Sequence, residues 1–315
     1  MTDEHTYYLG VDGGASKTTA LVSDENGSPL GDGLAGPSNH LRVGIETASR
    51  NVERAVNKAL VAADVTSREI VWAYCGIAGA DHPAHRQEVV DSLSIFFPRG
   101  NFTVDNDARI ALTGAIGYGG GVVVIAGTGS VAFGRNEEGL ETRAGGWGPI
   151  LGDEGSGFGI ARDALAAIVR AWDGRGKPTS MTDMLHNEWN MKPEDIPRFV
   201  YAPATHTDDI ARFGKLALEA AEAGDEVART ILEEGGRELG ECAVAVARRL
   251  DMLGTAFPVS YTGGAFNAGP LLLEPMRSVI LAAAPRVTIA PPEKTPVEGA
   301  AMMAMRAARM PRSKE

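Results

Sequence analysis

Two stretches of the chain share one local pattern, and that repeat constrains the fold more than any other feature. Leu9–Gly27 and Val123–Gly139 both read as strand, glycine turn, strand, polar turn. In the first, Gly10-Val11-Asp12-Gly13-Gly14 leads to Thr18–Ser23 and then Asp24-Glu25-Asn26-Gly27. In the second, Gly127-Thr128-Gly129-Ser130 leads to Val131–Phe133 and then Asn136-Glu137-Glu138-Gly139. Two hairpins that each bring glycine backbone to a tight bend point to duplicated domains facing a common cleft. The 315 residues suffice for two such domains, each with its own core.

From Tyr7 to Thr128 short β-type runs alternate with amphipathic helical stretches, the pattern of an α/β chain. Strands are expected at Tyr7–Val11, Thr18–Ser23, Ile70–Ile77, Phe102–Val104 and Val122–Ala126, while Val52, Val56, Leu60 and Val61 mark one helical face. After about Gly155 helices predominate until a further strand at Pro258–Tyr261. Asp225 should cap a long helix with apolar positions at Val227, Ile231, Leu232, Leu239, Val246 and Leu250, bent at Gly235-Gly236. Pro296–Ala301 leads into an apolar packing helix through Met302, Met303 and Met305.

Composition narrows the function. There are 39 glycines, yet no Gly-X-Y period, and 44% of residues are hydrophobic, which excludes collagen-like and disordered chains. The net charge of −11 disfavours broad attraction to nucleic acid or an anionic membrane, so any anionic ligand must be held locally. The longest uncharged stretch, Ile110–Gly134, is too rich in glycine for a membrane span. Met1–His5 is acidic and polar and runs into a strand without a basic or apolar signal region, so a cytoplasmic location is expected. Cys75 and Cys242 are too few and too far apart for a disulfide framework or a cysteine metal site and should be small buried residues. The six histidines show no metal-ligand spacing, and His82 and His85 should be exposed around Pro83.

Five loops could carry chemistry. In Asp12–Thr18, Gly13 and Gly14 let backbone N–H groups approach a phosphate, and Asp12 could orient Mg²⁺ directly or through water. A P-loop is excluded, because Val11 and Ser16 stand where glycines are needed and a strand follows where a helix should. Gly127-Thr128-Gly129-Ser130 is not a Rossmann fingerprint, since Ala132 occupies the third glycine position and strand-like residues follow where a helix should. Asp107, after Val104-Asp105-Asn106, is either a helix N-cap or a general base that takes the proton of a substrate hydroxyl, with Asp105 the fallback for that role. Gly145–Gly157 packs glycines, Trp147, Asp153 and Glu154 before a helix. An aromatic platform with nearby carboxylates suits a polyhydroxylated ring; Trp147 as a core anchor is the plainer alternative. Gly263-Gly264, after the Pro258–Tyr261 strand, would let backbone lie flat against an adenine or ribose. Of the 39 glycines, 17 fall in residues 10–14, 119–129, 145–159 and 263–264, so the glycine excess is expected to outline binding loops.

In this order and spacing the five elements resemble the acetate and sugar kinase, heat-shock ATPase and actin superfamily, and within it the N-acetylglucosamine and glucosamine kinase group, which shares a domain type with the activator ATPases of acyl-CoA dehydratases. The resemblance implies an α/β chain of two ribonuclease H-like domains flanking a nucleotide and sugar cleft, one built from residues 1–118 plus 298–315 and the other from 119–297. It also implies ATP and Mg²⁺, a homodimer, and phosphate transfer to the 6-hydroxyl of an amino sugar, first N-acetylglucosamine, then glucosamine or N-acetylmuramic acid. A nucleotide-binding sugar sensor or actin-like assembly protein is the non-enzymatic alternative.

By the same resemblance Asp12, Gly13, Gly14, Ser16, Lys17 and Thr18 form the first phosphate loop, with Asp12 on the metal, and Gly127, Thr128, Gly129 and Ser130 form the second. Gly263 and Gly264 form the adenosine loop, and Asp107 is the catalytic base. Asn39, Gly146, Trp147, Gly148 and Asp153 contact the sugar. The cysteines do not match the iron–sulfur pattern of the activator ATPases, and the stretch from Asp173 to Ala204 carries no assignable motif.

Overall fold

The computed structural model describes residues 6–97 and 100–310; Met1–His5 lie outside them. The chain forms two compact units, one running to Gly119 and resuming at Pro292, the other Gly120–Pro291. In the first, β1 (Tyr7–Gly13), β2 (Thr18–Ser23) and β3 (Pro29–Ala35) form an antiparallel meander. Then come α1 (His40–Val43), α2 (Ile45–Ala63), β4 (Ile70–Ile77), α3 (Pro83–Leu93), β5 (Phe102–Asp105) and α4 (Asp107–Ile116). The sheet order is β3-β2-β1-β4-β5, with β4 parallel to β1 and β5 parallel to β4.

The second unit repeats this plan. Its meander is β6 (Gly121–Ala126), β7 (Ser130–Arg135) and β8 (Glu141–Gly145). Six helices follow: α5 (Gly157–Trp172), α6 (Met181–Trp189), α7 (Ile196–Val200), α8 (Thr207–Ala211), α9 (Gly214–Glu222) and α10 (Glu226–Arg249). Next are β9 (Pro258–Thr262), α11 (Pro270–Ala283) and β10 (Thr288–Ala290). The sheet order β8-β7-β6-β9-β10, with β9 and β10 added in parallel, is that of the first unit. The last helix, α12 (Pro296–Arg309), packs on β1 and α4 of the first unit. The α/β class and the duplication expected from the repeat are present, as are the ribonuclease H-like sheets that the family resemblance implied.

Several details depart from expectation. The strands β3, β8 and β10 carry no clear alternation in sequence. In β3 the cause is Gly31 and Gly33: a Cβ on Gly33 would lie 2.0 Å from the Ala55 carbonyl oxygen, so α2 rests directly on the strand. Gly10 and Gly299 do the same for α12, where a Cβ would meet Val297 O at 2.4 Å and Ile110 O at 2.1 Å. Part of the glycine excess therefore serves close packing of elements rather than binding loops. Val52, Val56 and Leu60 are buried as one face of α2, but Val61 is 82% exposed, because it lies one step of about 100° from Leu60 around the helix.

Asp225 caps α10 as expected, its Oδ1 accepting from the Val227 and Ala228 amides at 2.9 Å. The helix continues unbroken through Gly235-Gly236; the pair lets α11 approach, since a Cβ on Gly236 would meet Leu272 O at 2.3 Å. The stretch without a motif contributes Trp189, whose ring stacks on buried Phe213 at 4.2 Å. Cys75 is buried, and burial pushes its thiol up to about 12; Cys242 is half-buried. Among the described residues no helix is long and apolar enough to cross a membrane.

Candidate functional site

Chemistry in the first unit gathers outside the carboxyl ends of its three parallel strands, where ligands bind in open α/β sheets. Asp12 and Gly13 end β1, Asp81 follows β4, and Asp105 and Asp107 follow one another across the end of β5. Burial raises Asp107 to about 7, and the neighbouring Asp12 and Asp81 carboxylates add to the rise. Burial likewise raises Asp12 to about 6, against the lowering pull of Lys17. Asp81 was not expected from sequence; only its place just after a predicted strand could have marked it.

Asp107 is the first residue of α4, and the cap is Asn106, whose Oδ1 accepts from the Arg109 amide at 3.0 Å. The N-cap alternative for Asp107 is thus set aside; its carboxylate takes backbone hydrogen bonds from its own amide and that of Ala108, which pull against its rise. Asp105 does not fit the fallback role. It is buried, its Oδ2 accepts from the Tyr74 hydroxyl at 2.9 Å and from Arg109, and its Oδ1 accepts from the Asn106 amide at 2.9 Å and faces Arg86 at 3.3 Å.

The first glycine turn closes with Gly14 N–H donating to Lys17 O at 2.9 Å. The amides of Ala15 and Lys17 donate to no described residue, and Ser16 and Lys17 are exposed. Thr18 is buried, and its hydroxyl donates to Gly36 O at 2.7 Å, so it braces the turn. The Gly14 carbonyl accepts from the Ser38 and Asn39 amides, which joins Asn39 to the turn. Asn39 caps α1 through Oδ1, leaving its Nδ2 without a described partner. Beside it His40 is buried, with both ring nitrogens unsatisfied, and packs 5.6 Å from His85, which is half-buried rather than exposed.

In the second unit the corresponding strand ends carry the other glycine loops. Gly127 N–H donates to Gly129 O at 2.9 Å, closing a turn that resembles the first. The Gly129 amide donates to no described residue. Thr128 donates to Asp208 of α8 at 2.8 Å, a partner the sequence did not suggest. Ser130 is buried; its hydroxyl donates to Glu154 O and its amide to Asp153 Oδ1 at 3.1 Å. Asp153 is buried beside Gly129, held at φ +62°, and raised above the usual carboxylate range by burial. Gly263 has φ +113° and lies against Ala126, where a Cβ would meet its carbonyl oxygen at 2.3 Å; Gly264 faces open space. Gly146 O accepts from Arg143 at 3.0 Å, and Gly148 has φ +82°. Trp147 is 65% exposed with the Arg143 guanidinium 5.0 Å from its ring, which rules out the core anchor. Ile150 and Leu151, exposed beside it, were not singled out from sequence.

Among the described residues no three His, Cys, Asp or Glu side chains converge to hold a metal ion by themselves. Asp12 suits a different kind of site: its carboxylate accepts no hydrogen bond from a described residue, and Mg²⁺ on nucleotide phosphates needs only one or two protein carboxylates.

The family model described as the BadF/BadG/BcrA/BcrD ATPase family matches residues 9–304, and the chain belongs to that family. It is 32% identical over 299 residues to the N-acetylmuramic acid/N-acetylglucosamine kinase of Clostridium acetobutylicum, covering 95% of this chain and 98% of the relative. It is also 32% identical over 310 residues to the N-acetyl-D-glucosamine kinase of Dictyostelium discoideum, covering 95% and 97%. The crystal structure of a candidate N-acetylglucosamine kinase from Chromobacterium violaceum superposes with a TM-score of 0.75 at 25% identity, covering 97% of this chain and all of the other.

Proposed function

We propose that this chain is an ATP-dependent kinase that phosphorylates the 6-hydroxyl of an amino sugar, N-acetylglucosamine in the first place. The observation that carries this reading is Asp107, a carboxylate raised to about 7 at the carboxyl ends of parallel strands, flanked by Asp12 and Asp81. A base whose pKa lies near neutrality is both ionised in good part and able to hold a proton, as general-base catalysis requires. The sugar hydroxyl gives its proton to the Asp107 carboxylate as its oxygen forms the new bond to the γ-phosphorus, and ADP leaves with the electrons of the broken P–O bond.

Few formal charges are needed to hold the nucleotide. In the first unit the unused amides of Ala15 and Lys17, with the Lys17 ammonium, offer donors to phosphate oxygens; taken by itself, the second unit offers the unused amide of Gly129. Mg²⁺, held by Asp12, would offset charge on the β- and γ-phosphates. Asn39, through its Nδ2, and Trp147, through its exposed ring, are assigned to the sugar. Asp153 supports the second glycine turn by accepting from the Ser130 amide, and it is assigned to the sugar by the family resemblance alone.

The two relatives at 32% identity are both named for N-acetylated sugars, which favours an acetamide over the free ammonium of glucosamine. The bacterial relative's name also supports N-acetylmuramic acid as a second substrate. Assaying ADP release with N-acetylglucosamine, N-acetylmuramic acid, glucosamine, N-acetylmannosamine and glucose tests the reading. The N-acetylated glucosamine derivatives should give the highest kcat/KM; sugar-independent ADP release alone would support the sensor or assembly alternative.

A further inference from the structure

Arg86 of α3 joins two loops that sequence alone does not connect. Its Nε donates to Ala80 O at 3.1 Å, in the segment leading to Asp81, and its Nη2 faces Asp105 Oδ1 at 3.3 Å. Asp105 is buried and takes three further donors: the Tyr74 hydroxyl, the Arg109 guanidinium and the Asn106 amide. Asn106 in turn caps α4 and donates through Nδ2 to Asp81 Oδ1 at 3.1 Å. A closed circuit thus runs from Arg86 through Asp105, Asn106 and Asp81 to Ala80. It takes in Asp105 and Asn106, the two residues immediately before Asp107.

We infer that Arg86 is a positioning residue for phosphoryl transfer: by bridging Ala80 and Asp105 it fixes the start of α4, and with it the carboxylate of Asp107. This rests on Asp107 being the proton acceptor. The planar guanidinium serves two acceptors at once from a rigid fork, whereas a lysine ammonium on a flexible stem can neutralise Asp105 without holding Ala80 in the same geometry. None of the polar contacts that make up the circuit involves a residue of the glycine turns assigned to phosphate. A loosened Asp107 should therefore cost turnover and spare nucleotide binding, since misplacement of a catalytic group by about 1 Å can cost on the order of a hundredfold in rate.

The test is a kinetic comparison of Arg86→Lys, Arg86→Gln, Asp107→Asn and the double variant Arg86→Lys/Asp107→Asn, with ADP affinity measured on each to establish that the protein is folded. Arg86→Lys should keep wild-type ADP affinity and KM for ATP within about twofold while kcat falls about 10- to 100-fold. Arg86→Gln should fall at least as far. In the Asp107→Asn background, Arg86→Lys should lower the residual kcat by less than about twofold, because its effect passes through the missing carboxylate. The inference is overturned if folded Arg86→Lys keeps wild-type kcat, or if its full effect persists without Asp107. Should Asp107→Asn itself retain wild-type turnover, the assignment of the base fails instead, and the two failures are told apart.

Discussion

As the proposed base, Asp107 would tie proton transfer to stability. The carboxylate works as a base only when ionised, so kcat/KM should climb as pH rises through about 7 and level off above it, a limb that a pH–rate profile would read directly. Replacing it by Asp107→Asn should lower kcat at least about a hundredfold, within the usual range for a lost acid–base group. The same shift has a cost in folding. Between the ordinary 3.8 and about 7 the fold holds a proton that the unfolded chain has released, so stability is full below 3.8 and is lost as pH rises through 7. Asp107→Asn removes that loss. In the ligand-free protein it should raise the melting temperature at pH 8, with no gain near pH 4. An equal gain at both pH values would show that the carboxylate is not held protonated by its surroundings. Asp105, two residues away, shows why sequence could not choose between them: both are aspartates beside a strand end, and only the converging Tyr74, Arg86 and Arg109 make one of them structural.

Among the elements, legibility follows chemistry. Tyr7–Val11, which the strand extends to Gly13, Thr18–Ser23 and Ile70–Ile77 were legible because β-branched and aromatic runs bound by glycine or polar turns have few other solutions. The third strand of the first meander was not, because at Gly31 and Gly33 it exchanges side chains for direct contact with α2. Gly33→Ala should therefore destabilise the protein by about 1–3 kcal/mol, as overpacked sites do, and lower the midpoint of denaturant unfolding; an unchanged midpoint would mean that β3 and α2 can separate freely. The Asp225 cap was legible from a polar residue before an apolar helical pattern. Its second set of partners, the Ser180 amide at 2.6 Å and the Thr179 hydroxyl at 2.9 Å, was not, because they lie 45 and 46 residues away. Asp225→Ala should cost about 1–2 kcal/mol in a thermal melt, at the upper end for a cap because both oxygens are engaged.

For the whole molecule, the repeat read from two short hairpins extends to two five-stranded sheets of identical order, so the duplication was visible where glycine turns marked it and hidden where helices fill the second unit. The net charge of −11 gives a further expectation. If phosphates are held by backbone amides and a single lysine at short range, the KM for ATP should change less than about threefold between ~0.05 and ~0.3 M salt; a tenfold rise would point to a broad cationic surface instead. The central claim, that Asp107 activates a sugar hydroxyl toward ATP, is tested most directly by following the reaction with N-acetylglucosamine by phosphorus and carbon NMR. One N-acetylglucosamine 6-phosphate should form for each ADP released, and Asp107→Asn should lose that product. Phosphate on another oxygen, ADP without a sugar phosphate, or an active Asp107→Asn would contradict it.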